Sequence, residues 1–148
     1  MKKKLAVAGS AVVAVVLLSG FAFRGGPHHG HNPERFKQVV TWKLNDKLDD
    51  VGATEAQRQS IHAVKDRLFD EGVQLAEGQH ATRSEVVAQL ESDKPDAQAL
   101  HALVDARIEA LRAFAHKATD AVLEVHGTLT PEQRKVLASE YRERTGIE

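Results

Sequence analysis

Cysteine is missing from all 148 residues. That excludes disulfide staples, thiol catalysis, thiolate metal centres and a lipid anchor through Cys. It does not locate the protein, because oxidising compartments permit disulfides without requiring them. Aromatic residues are also scarce, at 5% with one Trp and one Tyr. A core must then be assembled from Leu, Val, Ile and Ala, which suits helices packed on helices and not a sandwich of aromatic-rich strands. No alternating pattern competes as a strand. Neither sign of charge is in excess, with 20 basic and 21 acidic residues for a net charge of −1. The basic residues are spread along the chain, so no nucleic-acid surface is expected. Catalytic motifs are lacking as well: there is no nucleophile elbow, no glycine-rich phosphate loop and no His-Glu-x-x-His. Glu55 with Arg58 and Glu132 with Lys135 read as solvated helix pairs and not as acid–base machinery. No enzyme is expected.

What is present begins with an export signal. Lys2, Lys3 and Lys4 precede an uncharged run from Leu5 to Leu18, and small residues follow at Gly20 and Ala22. A basic start, a short apolar stretch and a small-x-small site make a secretory signal at residues 1–22. The alternative is an uncleaved anchor, since the 19 residues from Leu5 to Phe23 could just span a bilayer. Both readings place the rest of the chain outside the cytoplasm, in the periplasm, free or held at the inner membrane through its N-terminus. Cleavage would leave 17 basic residues against 21 acidic.

Residues 23–33 are rich in His, Gly and Pro, a composition that reads as a flexible linker. From residue 34 to 148 the pattern is helical. Phe36, Val40, Leu44 and Leu48 recur every fourth residue, predicting a first helix that Gly52 ends. A second begins at Thr54 with Ile61, Val64, Leu68, Leu75, Val86 and Leu90 along one side. Gly72 and Gly78 invite a bend or break in it. Ser92 to Pro95 reads as a turn, with Pro95 suited to the first turn of the next helix. The third helix, Asp96 to about Val125, carries Leu100, Leu103, Val104, Ile108, Leu111, Ala115, Ala118, Val122 and Val125, and Gly127 is expected to stop it. A fourth runs from Thr130 to Gly146. The expected fold is all-α: short, long, long, short, with a central antiparallel hairpin turning near Lys94.

Two helix starts share one form, Ala53-Thr54-Glu55-Ala56-Gln57 and Leu129-Thr130-Pro131-Glu132-Gln133. Each is a capping box, in which the N-cap Thr accepts from the N3 backbone and the N3 Gln reaches back to the cap's own N–H. Pro131 at N1 has no N–H to leave unsatisfied, and Glu55 and Glu132 lie at the positive ends of their helix dipoles. Two such boxes flanking a helical hairpin, in an exported chain without Cys, resemble the Spy/CpxP family of LTxxQ-motif periplasmic proteins, with metal-responsive relatives of ZraP and CnrX type. The second copy fits the LTxxQ pattern in full; the first has Ala53 where the pattern has Leu. The resemblance implies a curved homodimer with Thr54, Gln57, Leu129, Thr130 and Gln133 as fold-defining positions. It also implies a function as an ATP-independent chaperone for unfolded clients, as a partner of an envelope sensor protein, or as a metal-resistance protein.

Eight histidines are many for this length. His28, His29 and His31 sit together in the linker, where neutral imidazoles could hold Zn, Ni or Cu. The C-terminal segment from Tyr141 to Glu148 has no His, so the resemblance carries over no C-terminal metal segment. In a hairpin centred on Lys94, His62 and His126 fall at the same level, and Glu124 could join them as a third ligand. His80, His101 and His116 have no partner at helical spacing and read as surface residues. No cofactor is required by anything in the sequence. A client-binding surface is expected to draw on Arg58, Lys65, Arg67, Arg107, Arg112 and Lys117 beside exposed apolar residues.

Overall fold

The computed structural model describes residues 33–146. The leader at residues 1–22, the linker up to Pro33 and His28, His29 and His31 lie outside the described residues. Within them the protein is all-α, in the order α1 (Pro33–Asp50), α2 (Glu55–Glu91), α3 (Ala97–Thr128) and α4 (Pro131–Thr145). Short, long, long, short is the observed order. The 37 residues of α2 and the 32 of α3 form the hairpin, and α1 and α4 pack at its open end.

The boundaries show which local signal wins. Pro33 belongs to α1 and not to the linker, because a fixed φ and an absent N–H are both harmless in a first turn. Neither Gly72 nor Gly78 breaks α2, which is helical throughout. Gly72 is buried against the rest of the core. Pro95 stands before α3, whose start is capped instead by Asp96, its Oδ1 accepting from Gln98 N at 2.9 Å and Ala99 N at 3.2 Å. Gly127 does not stop α3. The helix runs on to Thr128 and ends where Leu129 turns extended and becomes 4% exposed. Among the described residues positive φ is confined to Gly52 at 62° and Gly146 at 66°, the two glycines that do end helices.

The core has two lobes, both at the open end. Val64, Leu68, Phe69 and Leu75 of α2 meet Phe114, Ala118 and Ala121 of α3, with Phe36 of α1 stacked on Phe69 at 6.2 Å between ring centroids. Leu44 and Leu48 of α1 meet Ala53, Ile61 and Leu129, with Leu137 of α4 beside them. Full burial of each large side chain contributes about 1.5–3 kcal/mol. Between Leu75 and Phe114 no residue is buried. The apolar pattern continues to the hairpin tip, but Val87, Leu90, Val104 and Ile108 are 51%, 67%, 54% and 58% exposed there.

Candidate functional site

The open end of the hairpin is where the two capping boxes meet. Thr54 and Thr130 adopt nearly the same backbone conformation, φ −68°, ψ 161° and φ −69°, ψ 161°. At each, the Thr Oγ1 accepts from the N3 backbone at 3.3 Å, and the N3 Gln Oε1 accepts from the Thr backbone N–H at 2.9 Å for Thr54 and 2.8 Å for Thr130. The glutamines then bind each other. Gln57 Nε2 donates to Gln133 Oε1 at 2.9 Å, and Gln133 Nε2 donates to Gln57 Oε1 at 3.1 Å. The same nitrogens also donate to opposite loops, Gln57 to Thr128 O at 2.9 Å and Gln133 to Val51 O at 3.3 Å. Each amide thus caps its own helix and ties down the loop that starts the other. The Ala53 and Leu129 positions before the caps are core residues, 8% and 4% exposed, which gives the apolar first residue of the motif its physical reason.

Two lysines are buried at this end. Lys47, 7% exposed, reaches Asp50 at 2.7 Å and Glu140 at 3.1 Å, joining α1 to α4. The hydrogen bond to Asp50, then that to Glu140, holds its ammonium above its ordinary pKa against the opposing effect of burial. Lys65, 5% exposed, donates to Thr41 Oγ1 at 2.9 Å and pairs with Asp66 at 3.2 Å. Lys37 meets the same Asp66 at 3.2 Å and lies over the Phe69 ring. Burial pushes the Asp66 carboxyl up, but the two lysines outweigh it and hold it below its ordinary value.

The six basic residues expected on a client surface are engaged within the fold. Lys65 is buried. Arg58 pairs with Asp49 at 2.6 Å and donates to Ala53 O. Arg67 pairs with Glu124, Lys117 with Glu71 at 2.7 Å and Arg112 with Glu109 at 3.5 Å. Arg107 crosses the hairpin to donate to Leu75 O at 2.9 Å, and burial and the nearby Arg83 lower its pKa. Gly78 lies beneath it, where an added Cβ would stand 3.9 Å from Arg107 Nη1.

His62 and His126 both lie at the open end, but they turn to different neighbours. His62 Nε2 is 2.8 Å from Asn45 Oδ1, facing α1. Burial and then the Lys65 charge lower its pKa, with Arg58 adding to the effect and Asp66 and Glu55 opposing it. His126 Nδ1 lies 3.3 Å from Arg134 Nη1, facing α4. Glu124 is engaged with Arg67. Among the described residues no three His, Cys, Asp or Glu side chains group so as to hold a metal. The geometry does not assemble His62, His126 and Glu124 into a centre, and a cation beside His126 opposes one. His80, His101 and His116 are exposed on the hairpin. An open groove also crosses it near the tip, lined by Ala81, Thr82, Glu85, Ala99, Ala102 and Leu103.

A family model described as heavy-metal resistance matches residues 5–136. The chain belongs to the heavy-metal resistance family. That family lies within the Spy/CpxP-like superfamily, so the resemblance carried by the paired motif holds at the superfamily level and not for the Spy/CpxP family itself. No curated protein and no solved structure matches it. The span matched to the heavy-metal resistance family takes in the whole N-terminal apolar run from Leu5, both capping boxes and the whole hairpin. Among the described residues no helix is long and apolar enough to cross a membrane.

Proposed function

We propose that this is an exported, non-enzymatic metal-binding protein of the bacterial envelope that acts in heavy-metal resistance or sensing, with His28, His29 and His31 as its primary ligands. The observation that carries the reading is the family match over residues 5–136, joined to the clustering of His28, His29 and His31 in the sequence. The resemblance put a chaperone role first and metal binding second; the family match supports the reverse order. Imidazole nitrogens without thiolates suit Zn²⁺, Ni²⁺ or Cu²⁺. Inclusion of residues 5–22 in the matched span supports the export reading, and the protein acts in the periplasm, released or anchored by that segment.

A chaperone role keeps one specific observation in its favour, the exposed Val87, Leu90, Val104 and Ile108 on the distal hairpin. A second copy of the chain, or an unfolded client, would cover them. Zinc, nickel and copper titration of the wild type beside a His28/His29/His31→Ala triple variant separates the roles. Micromolar or tighter binding that the triple variant loses supports metal resistance. Absent binding, with aggregation of a test client suppressed equally by both proteins, would overturn it in favour of a chaperone.

A further inference from the structure

Counted against other histidines, His101 and His116 stand alone on α3. Counted against carboxylates, they do not. Asp105 follows His101 by one turn and Asp120 follows His116 by one turn, so the helix carries the same His-x-x-x-Asp pair twice. All four residues are exposed, and among the described residues none of their side chains makes an ion pair or hydrogen bond. At 100° per residue, His101, Asp105, Ile108, Arg112 and His116 fall within an arc of about 80° along α3, with Asp120 at its edge. Ile108 is 58% exposed on this line. Arg112 reaches only Glu109 of its own helix, at 3.5 Å with both side chains more than two-thirds exposed, and a pair of that kind contributes little.

The order of these residues is symmetric. His101 and His116 straddle the point between Ile108 and Glu109 at equal separation, and so do Asp105 and Arg112. Two α3 helices packed antiparallel about a two-fold axis at that point set Asp105 of each copy against Arg112 of the other. The same axis sets His101 of each copy against His116 of the other and brings the two Ile108 side chains together. Helices in contact lie about 8–10 Å apart, so imidazoles at facing levels meet over the seam. We propose that this line of α3 binds a second copy of the chain antiparallel, and that His101 of one copy with His116 and Asp120 of the other form a Zn²⁺ site (or one for a similar borderline divalent cation) at each end of the seam. Two imidazoles and a carboxylate leave the fourth tetrahedral position to water. One chain alone holds two ligands at most at each place, in keeping with the lack of any three-residue metal group among the described residues. Charge complementarity selects the occupant, because this register alone gives both Asp105 and Arg112 an opposite charge across the seam. The facing imidazoles leave the apo dimer weak, since they repel each other once protonated. The metal turns that repulsion into a bridge. None of His28, His29 and His31 is needed, so this site is separate from the tail.

The test is sedimentation equilibrium of the purified protein in the His28/His29/His31→Ala background, with and without Zn²⁺. Zinc should tighten the dimer by about tenfold or more. Adding His101→Ala or His116→Ala to that background should abolish the response. Mixed in equal amounts, those two variants should regain a zinc-dependent heterodimer, because one chain then supplies His101 and the other His116 and Asp120, which keeps one site whole. Asp105→Arg and Arg112→Asp should each weaken the dimer and together restore it. All these side chains are exposed, and unchanged helicity by circular dichroism checks that each variant folds. A dimer constant that zinc leaves unchanged, or a mixture as unresponsive as its components, overturns the site. Zinc titration of the wild type at concentrations where it is monomeric reads the tail histidines by themselves. Tail binding without zinc-driven dimerisation therefore overturns this inference and leaves the metal-resistance reading standing.

Discussion

The two halves of the hairpin are built from the same helices and similar residues, yet they are held in different ways. In the half next to α1 and α4, each turn of α2 buries an apolar side chain, and the polar groups are locked into ion pairs and the glutamine clasp. In the half towards Lys94, α2 and α3 have only each other. Their apolar residues follow the same period but remain half exposed. A two-helix layer has no inside, because burial needs a third element to close over the seam. The short helices are what convert a hairpin into a domain, and without them the distal half leaves its apolar residues open.

Truncating one apolar residue in each half should give the largest difference between them. Phe69→Ala should destabilise by about 3–5 kcal/mol in urea unfolding, since Phe69 is 3% exposed within the larger core lobe. Ile108→Ser should change stability by less than about 0.5 kcal/mol at concentrations where the chain is monomeric. A loss above about 1 kcal/mol for Ile108→Ser, growing with protein concentration, would mean that a second copy covers the distal half.

The clasp gives a smaller effect with a distinctive pattern. Gln57→Ala or Gln133→Ala alone should cost about 1–2 kcal/mol, because each removes a cap contact and strips the other amide of its partner. The double variant should cost less than the two singles together by about 0.5 kcal/mol or more. Strict additivity would show that the two caps act separately and that the amide pair contributes nothing.

The smallest expected effect is a dependence on pH at the α1–α2 contact. The folded state holds His62 below its ordinary pKa of 6.5, so the unfolded chain binds that proton more readily. Stability from this group is complete above pH 6.5 and declines as pH falls through and below that value. Asp66, held below 3.8, contributes above its unfolded pKa and loses that contribution only in strong acid. His62→Gln should flatten the urea midpoint between pH 7.5 and 5.5 relative to wild type. An unchanged slope would assign the dependence to other groups.

Most of the fold was legible from period and punctuation. The helix order, both capping boxes and the turn near Lys94 follow from local residue chemistry, which here agrees with tertiary packing. Where the two disagree, packing prevails. Gly72 and Gly127 look like breakers, but Gly72 is held in the core and α3 runs through Gly127 until the burial of Leu129 draws the chain out of helix. The loss of the apolar stripe's function towards the tip was not legible, because periodicity reports which residues share a side and not whether anything lies opposite. The glutamine pair was within reach. Both glutamines stand at N3 of matching capping boxes that the hairpin brings to one end, whereas the level rule that sets His62 against His126 pairs residues that turn to different neighbours. Facing direction depends on helix rotation, which a count from the turn does not supply.

The reciprocal amides have a consequence for how the domain comes apart. Fraying of a terminal helix such as α4 would ordinarily be a local event of low free energy. Here, releasing the start of α4 also withdraws the hydrogen bond to Val51 O and the partner of Gln57, which loosens the α1–α2 loop nearly 80 residues away in sequence. The α1–α2 loop and the start of α4 should therefore open together rather than one at a time.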